Sequence, residues 1–137
     1  LQSTEAPQTI RISTEVIARP LPVSTFVNAP GLRYVGLEAL VNTAPFVAIS
    51  VADQGSGIPS NVLSRIFETY YTTKAPGRGT GLGLSIVARL VRSAHGCIRV
   101  TTQPGKGTTM TLILPAERVA EPQFDIDPLA ADNSHGY

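Results

Sequence analysis

Apolar residues recur along this chain at two spacings, and the spacing assigns the elements. Thr9 to Val16 alternates, with Ile10, Ile12 and Thr14 on one face and Arg11 and Ser13 on the other, which predicts a strand. Phe46 to Ala52 alternates more strongly: Val47, Ile49 and Val51 interleave with Ala48 and Ser50, so one side can bury while the other packs on small residues. From Leu82 to Ala94 the spacing becomes helical, with Leu82, Ile86, Leu90 and Ala94 in line, flanked by Val87 and Val91, and Gly96 as the expected stop. Alternation then returns at Ile98 and Val100 and again at Met110, Leu112 and Leu114, with Gly105-Lys106-Gly107 joining the two strands as a hairpin. Pro59 suits a first helical position, and Val62, Leu63 and Ile66 then form a short amphipathic helix ending near Phe67.

Other stretches lack a sustained period. Ala18 to Pro45, broken by Arg19-Pro20-Leu21-Pro22 and Asn28-Ala29-Pro30-Gly31, reads as a long connection holding a short strand around Val23 to Val27 and a helical turn around Val35 to Val41. Tyr70 to Thr80 is polar and glycine-containing, hence loop. Ala116 to Tyr137 reads as a linker or tail. The expected organisation is one domain over 1–115, with 18–45 as a long insertion between strands, followed by 116–137.

Composition narrows the function classes. A net charge of +1 with no dense basic run gives no electrostatic footprint for nucleic acid or a membrane surface. The apolar runs are far shorter than the roughly 18 residues of a membrane span. Cys97, the one cysteine of the sequence, excludes an internal disulfide and a cysteine cluster for zinc. Leu1-Gln2-Ser3-Thr4 has neither an initiator methionine nor a leader pattern and reads as the start of an excised piece.

The chemistry concentrates in glycines. Gly77, Gly79, Gly81 and Gly83 strip side chains from a stretch of backbone that opens into the strongest helix. Bare amides and the positive end of the helix then converge on one place, which makes a phosphate cradle. Gly79-Thr80-Gly81-Leu82-Gly83 brings its third glycine one residue too early for a dinucleotide fingerprint, and Gly105-Lys106-Gly107 lacks the helix that a P-loop requires. Asp53 ends an apolar strand, and Gly55 and Gly57 turn the chain away from it. Its carboxylate could accept from an exocyclic amine and so select adenine over guanine; taken alone, a turn cap is the commoner role for such a residue.

Asp53-Gln54-Gly55-Ser56-Gly57-Ile58-Pro59, then Arg65 to Lys74 (Arg-Ile-Phe-Glu-Thr-Tyr-Tyr-Thr-Thr-Lys), then Gly79 to Ile86, resemble in order and separation the glycine, phenylalanine and second glycine boxes of the histidine-kinase ATP-binding domain. His95-Gly96 and Gly105 to Thr108 resemble that family's last landmarks, so the likeness spans about Val47 to Pro115. The resemblance implies a two-layer α/β sandwich of the Bergerat type, a mixed sheet with helices on one face. It implies ATP held by Asp53, Gly55, Gly57, Ile58, Tyr70, Lys74, Gly79, Thr80, Gly81, Leu82, Gly83, Leu84 and Thr108. Within that set Asp53 would receive the adenine amine, Thr108 would assist through water, Gly55 and Gly57 would shape the base pocket, Lys74 in a lid over Tyr70 to Thr80 would reach phosphate, and the amides of Gly79 to Gly83 would hold the phosphate chain.

Two departures qualify the likeness. Tyr70-Tyr71 stands where two phenylalanines are usual, and the family's asparagine-bearing N box is absent: Leu1 to Thr4 resembles the residues directly after that box, and Asn42 lies too late to replace it. A Mg2+ ligand is therefore expected upstream of Leu1, and the fragment alone is expected to be catalytically inactive. The partners implied are a histidine-bearing dimerisation domain of the same kinase and a response regulator, in the cytoplasm, with the parent protein open to a membrane anchor. His95 reads as a helix cap and His135 as a tail residue, so neither is taken as a phosphoacceptor. The alternatives are an anti-sigma-type serine kinase of the same superfamily and a degenerate module that senses nucleotide or binds partners.

Overall fold

The computed structural model describes residues 9–69, 71 and 83–117. Five strands form one sheet: β1 Ile10–Ile17, β2 Leu32–Val35, β3 Phe46–Asp53, β4 Cys97–Gln103 and β5 Gly107–Pro115, in the spatial order β1-β3-β5-β4-β2. Every pairing is antiparallel, so the expected mixed sheet is corrected to an antiparallel one. The reason is topological: β4 and β5 form a hairpin, and the other neighbours are joined by connections that return the chain in the opposite direction. Two helices follow β3: α1 Ser60–Leu63 and α2 Gly83–Ser93.

Helices cover one face, as expected. Leu63, Ala88 and Val91 from the helices pack with Val35, Ile98 and Val100 from the sheet, and Met110, Leu112 and Leu114 of β5 lie against them. The opposite face is covered by the irregular connection. Leu21, Phe26, Leu37, Leu40 and Ala44 surround Tyr34, Phe46, Ala48, Cys97 and Ile113. Phe26 meets Tyr34 edge-on at 5.6 Å between ring centroids. Burying both faces explains why β4 and β5 carry apolar residues on each side: Cys97, Ile98, Val100 and Ile113 are all nearly inaccessible.

Several local expectations change. The connection contains β2, an edge strand paired with β4 from Leu32↔Thr101 to Val35↔Ile98, where a helical turn was expected at Val35. Val23–Thr25 is a short 3-10 turn rather than a strand, and the segment after Gly36 reduces to consecutive tight turns. On β3 the fully buried side chains are Phe46 and Ala48, while Val51 remains 43% exposed. On α2 the buried stripe is Ala88 and Val91 with Leu84 and Val87 beside it, and Ile86 and Leu90 face outward. On β1, Ile10, Ile12 and Val16 stand opposite Asp53, Val51 and Val47 and leave that end of the helix-side face exposed.

The end of α2 is also different in detail. His95, at φ +60°, takes the left-handed position, and the Gly96 and His95 amides donate back to Val91 O at 3.0 Å and Arg92 O at 2.9 Å. This is a Schellman cap with histidine at the residue that is usually glycine. Gly96 is needed for another reason: a Cβ there would run into the backbone carbonyl of Ile113.

Candidate nucleotide site

The last residue of β3 and the first residues of β5 face each other at one end of the sheet. Asp53 pairs with Thr108, and Thr102 of β4 pairs with Thr108 from the other side. Strand alternation puts Thr102 on the same face as Ile98 and Val100, so this end of the sheet is polar on its helix side.

Asp53 is exposed and holds a turn with one oxygen. Its Oδ1 accepts the Gly55 amide at 2.8 Å and the Thr108 amide at 3.3 Å. Among the described residues Oδ2 has no hydrogen-bond partner, so it keeps its acceptor capacity. The turn-cap role therefore uses one oxygen of the carboxylate and leaves the other open among the described residues. Gly55 follows from the same geometry, because a Cβ would sit 3.1 Å from Oδ1 and crowd it.

Gly57 serves the loop. At φ +78° it lies where a Cβ would enter the Gln103 carbonyl and Pro104, so the chain after Asp53 packs directly on the β4–β5 turn. The Gly105 amide donates to Ser56 O at 2.7 Å and closes the contact. Ile58 then donates its amide to Thr102 Oγ1 at 2.8 Å, with its side chain against the helix-side core. Thr102 is nearly buried, and its hydroxyl also lies 3.2 Å from Gly107 O and 2.8 Å from Thr108 Oγ1. Sequence reasoning does not single out Thr102; the available signal is a polar residue on the inward side of an otherwise apolar strand.

A cleft of about 1110 Å³ is lined by Asp53, Ile58, Thr102, Gly107 and Thr108 and continues around the hairpin to Tyr34 and Thr101. Of the residues expected at the base pocket, Asp53, Ile58 and Thr108 line this cleft and Gly55 and Gly57 do not, while Thr101 and Tyr34 belong to the opposite face of the sheet. Gly83 opens α2 with no atom near its missing Cβ, and Leu84 is half-buried behind it. Tyr70, Lys74, Gly79, Thr80, Gly81 and Leu82 lie outside the described residues. Before that segment the Arg65 guanidinium covers the Tyr71 ring at 4.6 Å and pairs with Glu68 at 3.1 Å.

Among the described residues no group of three His, Cys, Asp or Glu side chains could hold a metal ion. No described helix is long and apolar enough to cross a membrane. The nucleotide implied by the motifs fits the residues present: a carboxylate oxygen without a partner among the described residues, an apolar wall at Ile58 and a hydroxyl at Thr108, all lining one cleft.

An antiparallel sheet with helices on one face, and an aspartate at a strand end followed by a glycine turn, define an ATPase-type α/β sandwich. Residues 28–118 match the family described as histidine kinase-, DNA gyrase B-, and HSP90-like ATPase, and the chain belongs to it. The chain is similar to Sensor kinase CckA of Brucella abortus (strain 2308), 44% identical over 64% of this chain and 9% of the relative. It is similar to Sensor histidine kinase ZraS of Escherichia coli (strain K12), 52% identical over 50% of this chain and 14% of the relative. It is also similar to Aerobic respiration control sensor protein ArcB of the same strain, 44% identical over 83% of this chain and 18% of the relative. The chain thus spans less than a fifth of the length of these curated relatives.

Proposed function

We propose that this chain is the ATP-binding catalytic domain of a sensor histidine kinase. In the intact protein it supplies the γ-phosphate of ATP to a histidine on a separate dimerisation domain, from which a response regulator receives it. Asp53 carries this reading: its Oδ1 is held by two backbone amides, which orients Oδ2 without occupying it. A fixed carboxylate oxygen accepts from the exocyclic amine of adenine and repels the carbonyl that guanine carries at the same place. Ile58 offers an apolar wall for the base, the turn at Gly55 and Gly57 holds Asp53 and the loop in place, and Thr108 stands beside Asp53 to hold a bridging water.

The remaining assignments rest on the motif order. Tyr70 and Lys74 belong to a lid, and the amides from Gly79 through Leu82 to Gly83, with Thr80 and Leu84, hold the phosphates. Mg2+ is supplied with ATP, and the compartment is the cytoplasm. The protein's part in such a transfer is positioning and charge neutralisation. The test is calorimetric titration with ADP of the chain and of Asp53→Asn. Asn keeps an acceptor for the turn but presents an amide donor to the adenine amine, so affinity should fall about 10- to 100-fold, roughly 1.4 to 2.8 kcal/mol. Unchanged affinity in Asp53→Asn, or no binding by the unaltered chain, defeats the reading.

A further inference from the structure

We propose that Thr102 is the positioning residue of the base pocket: its buried hydroxyl sets the direction in which the Thr108 hydroxyl presents itself to the nucleotide. The inference rests on the proposed nucleotide binding and adds a residue that the motifs do not assign.

A threonine hydroxyl has one hydrogen and two lone pairs. Thr102 Oγ1 accepts the Ile58 amide at 2.8 Å, which uses one lone pair. Its hydrogen has two candidate acceptors, Gly107 O at 3.2 Å and Thr108 Oγ1 at 2.8 Å. When Thr102 donates to Gly107, Thr108 must donate to Thr102 and shows the cleft only a lone pair. When Thr102 donates to Thr108, the Thr108 hydrogen is free to point outward. The pocket thus contains a two-position relay with its pivot buried and its output in the cleft.

Adenine selects one position. Beside the exocyclic amine that Asp53 would accept, the ring carries an acceptor nitrogen, which needs a donor. Only the arrangement in which Thr102 donates to Thr108 frees a donor at Thr108 itself; in the other, a bridging water must spend one hydrogen on Thr108 and its second on the ring nitrogen. The Thr108 amide already binds Asp53 Oδ1 at 3.3 Å, so donor and acceptor sides of the recognition are fixed to one another through two strands. Thr102 also ties Ile58, the apolar wall, to the same oxygen.

Two measurements on the 137-residue chain test this. In the absence of nucleotide, amide exchange at Ile58 is followed by NMR; Thr102→Val should speed it at least about tenfold relative to neighbouring strand amides, while Thr102→Ser should not. ADP is then compared by NMR titration with 1-deazaadenosine diphosphate, which carries C–H in place of the acceptor nitrogen. The unaltered chain and Thr102→Ser should prefer ADP by about tenfold, and Thr102→Val should cut that preference about threefold, because its Thr108 hydroxyl can still donate but is no longer held in that orientation. A merely structural threonine would weaken both ligands together and leave their ratio intact. Undiminished preference in Thr102→Val, or no preference in the unaltered chain although ADP binds, overturns the proposal and leaves the nucleotide reading standing. An Ile58 amide indifferent to Thr102→Val overturns it as well. Absence of ADP binding by the unaltered chain removes the nucleotide reading and this inference with it.

Discussion

Asp53 and Thr108 face each other across β3 and β5, and the Thr108 amide reaches the same carboxylate oxygen, at 3.3 Å, that accepts the Gly55 amide at 2.8 Å. One oxygen therefore joins a strand end, a turn and the neighbouring strand. Stability at this residue uses Oδ1, and the proposed recognition is assigned to Oδ2, so the two are separable.

That separation predicts an order of stabilities. Asp53→Asn keeps an acceptor at Oδ1 and should lie within about 0.5 kcal/mol of the unaltered chain. Asp53→Ala abandons two backbone amides to solvent and should cost about 1 kcal/mol. Urea denaturation of the three proteins checks it, and equal losses for Asn and Ala would contradict the division of roles.

Gly57 and Gly105 both have left-handed backbone, at φ +78° and +79°, but only Gly57 presses on other backbone. Gly105→Ala should cost about 1 kcal/mol, the conformational term alone. Gly57→Ala must also displace the Gln103 carbonyl and Pro104, so it should cost at least about 2 kcal/mol and loosen the hold of the loop on the hairpin. Thermal melts with amide exchange at Gly105 distinguish the two, since the Gly105 amide is bonded to Ser56 O at 2.7 Å.

Cys97 is inaccessible at the start of β4, and its burial pushes the thiol from 9.0 up to about 11. The folded chain holds its proton where the unfolded chain has lost it, so folding is favoured below 9.0 and that stability declines as pH rises towards 11. The loss across this window should be about 2 to 3 kcal/mol. Denaturation between these pH values should show a declining limb that Cys97→Ala removes. At neutral pH the thiol should react with alkylating reagents only on unfolding.

The element types were readable in the sequence because strand and helix impose different spacings on apolar residues. Ile10 to Ile17, Phe46 to Asp53 and the β4–β5 hairpin follow from alternation, and α2 follows from the helical recurrence. The turn after Asp53 was legible where glycine marked it: Gly55 lies close on the Asp53 carboxylate and Gly57 takes the left-handed bend. Which side of an element is covered was less legible. Val51 and Leu90 satisfy the periods yet stay exposed, and Phe46 and Ala48 take the buried side of β3. Periodicity states that two faces differ; it does not state what lies on each.

Local chemistry along the chain was enough to establish the strands, the main helix, the glycine turns and the family to which they belong, since each depends on residues a few positions apart. Assembly of the sheet settled the rest. The irregular connection became a cover for one face and contributed an edge strand because the far sides of β3, β4 and β5 had to be buried by something. His95 takes the left-handed cap, and Gly96 beside it lies against Ile113 O. Thr102 came beside Ile58, Gly107 and Thr108 through pairings between strands and a loop, one of them 44 residues apart. No spacing within a single element encodes such meetings, because they arise only when separate segments satisfy one another's hydrogen bonds and exclude water together.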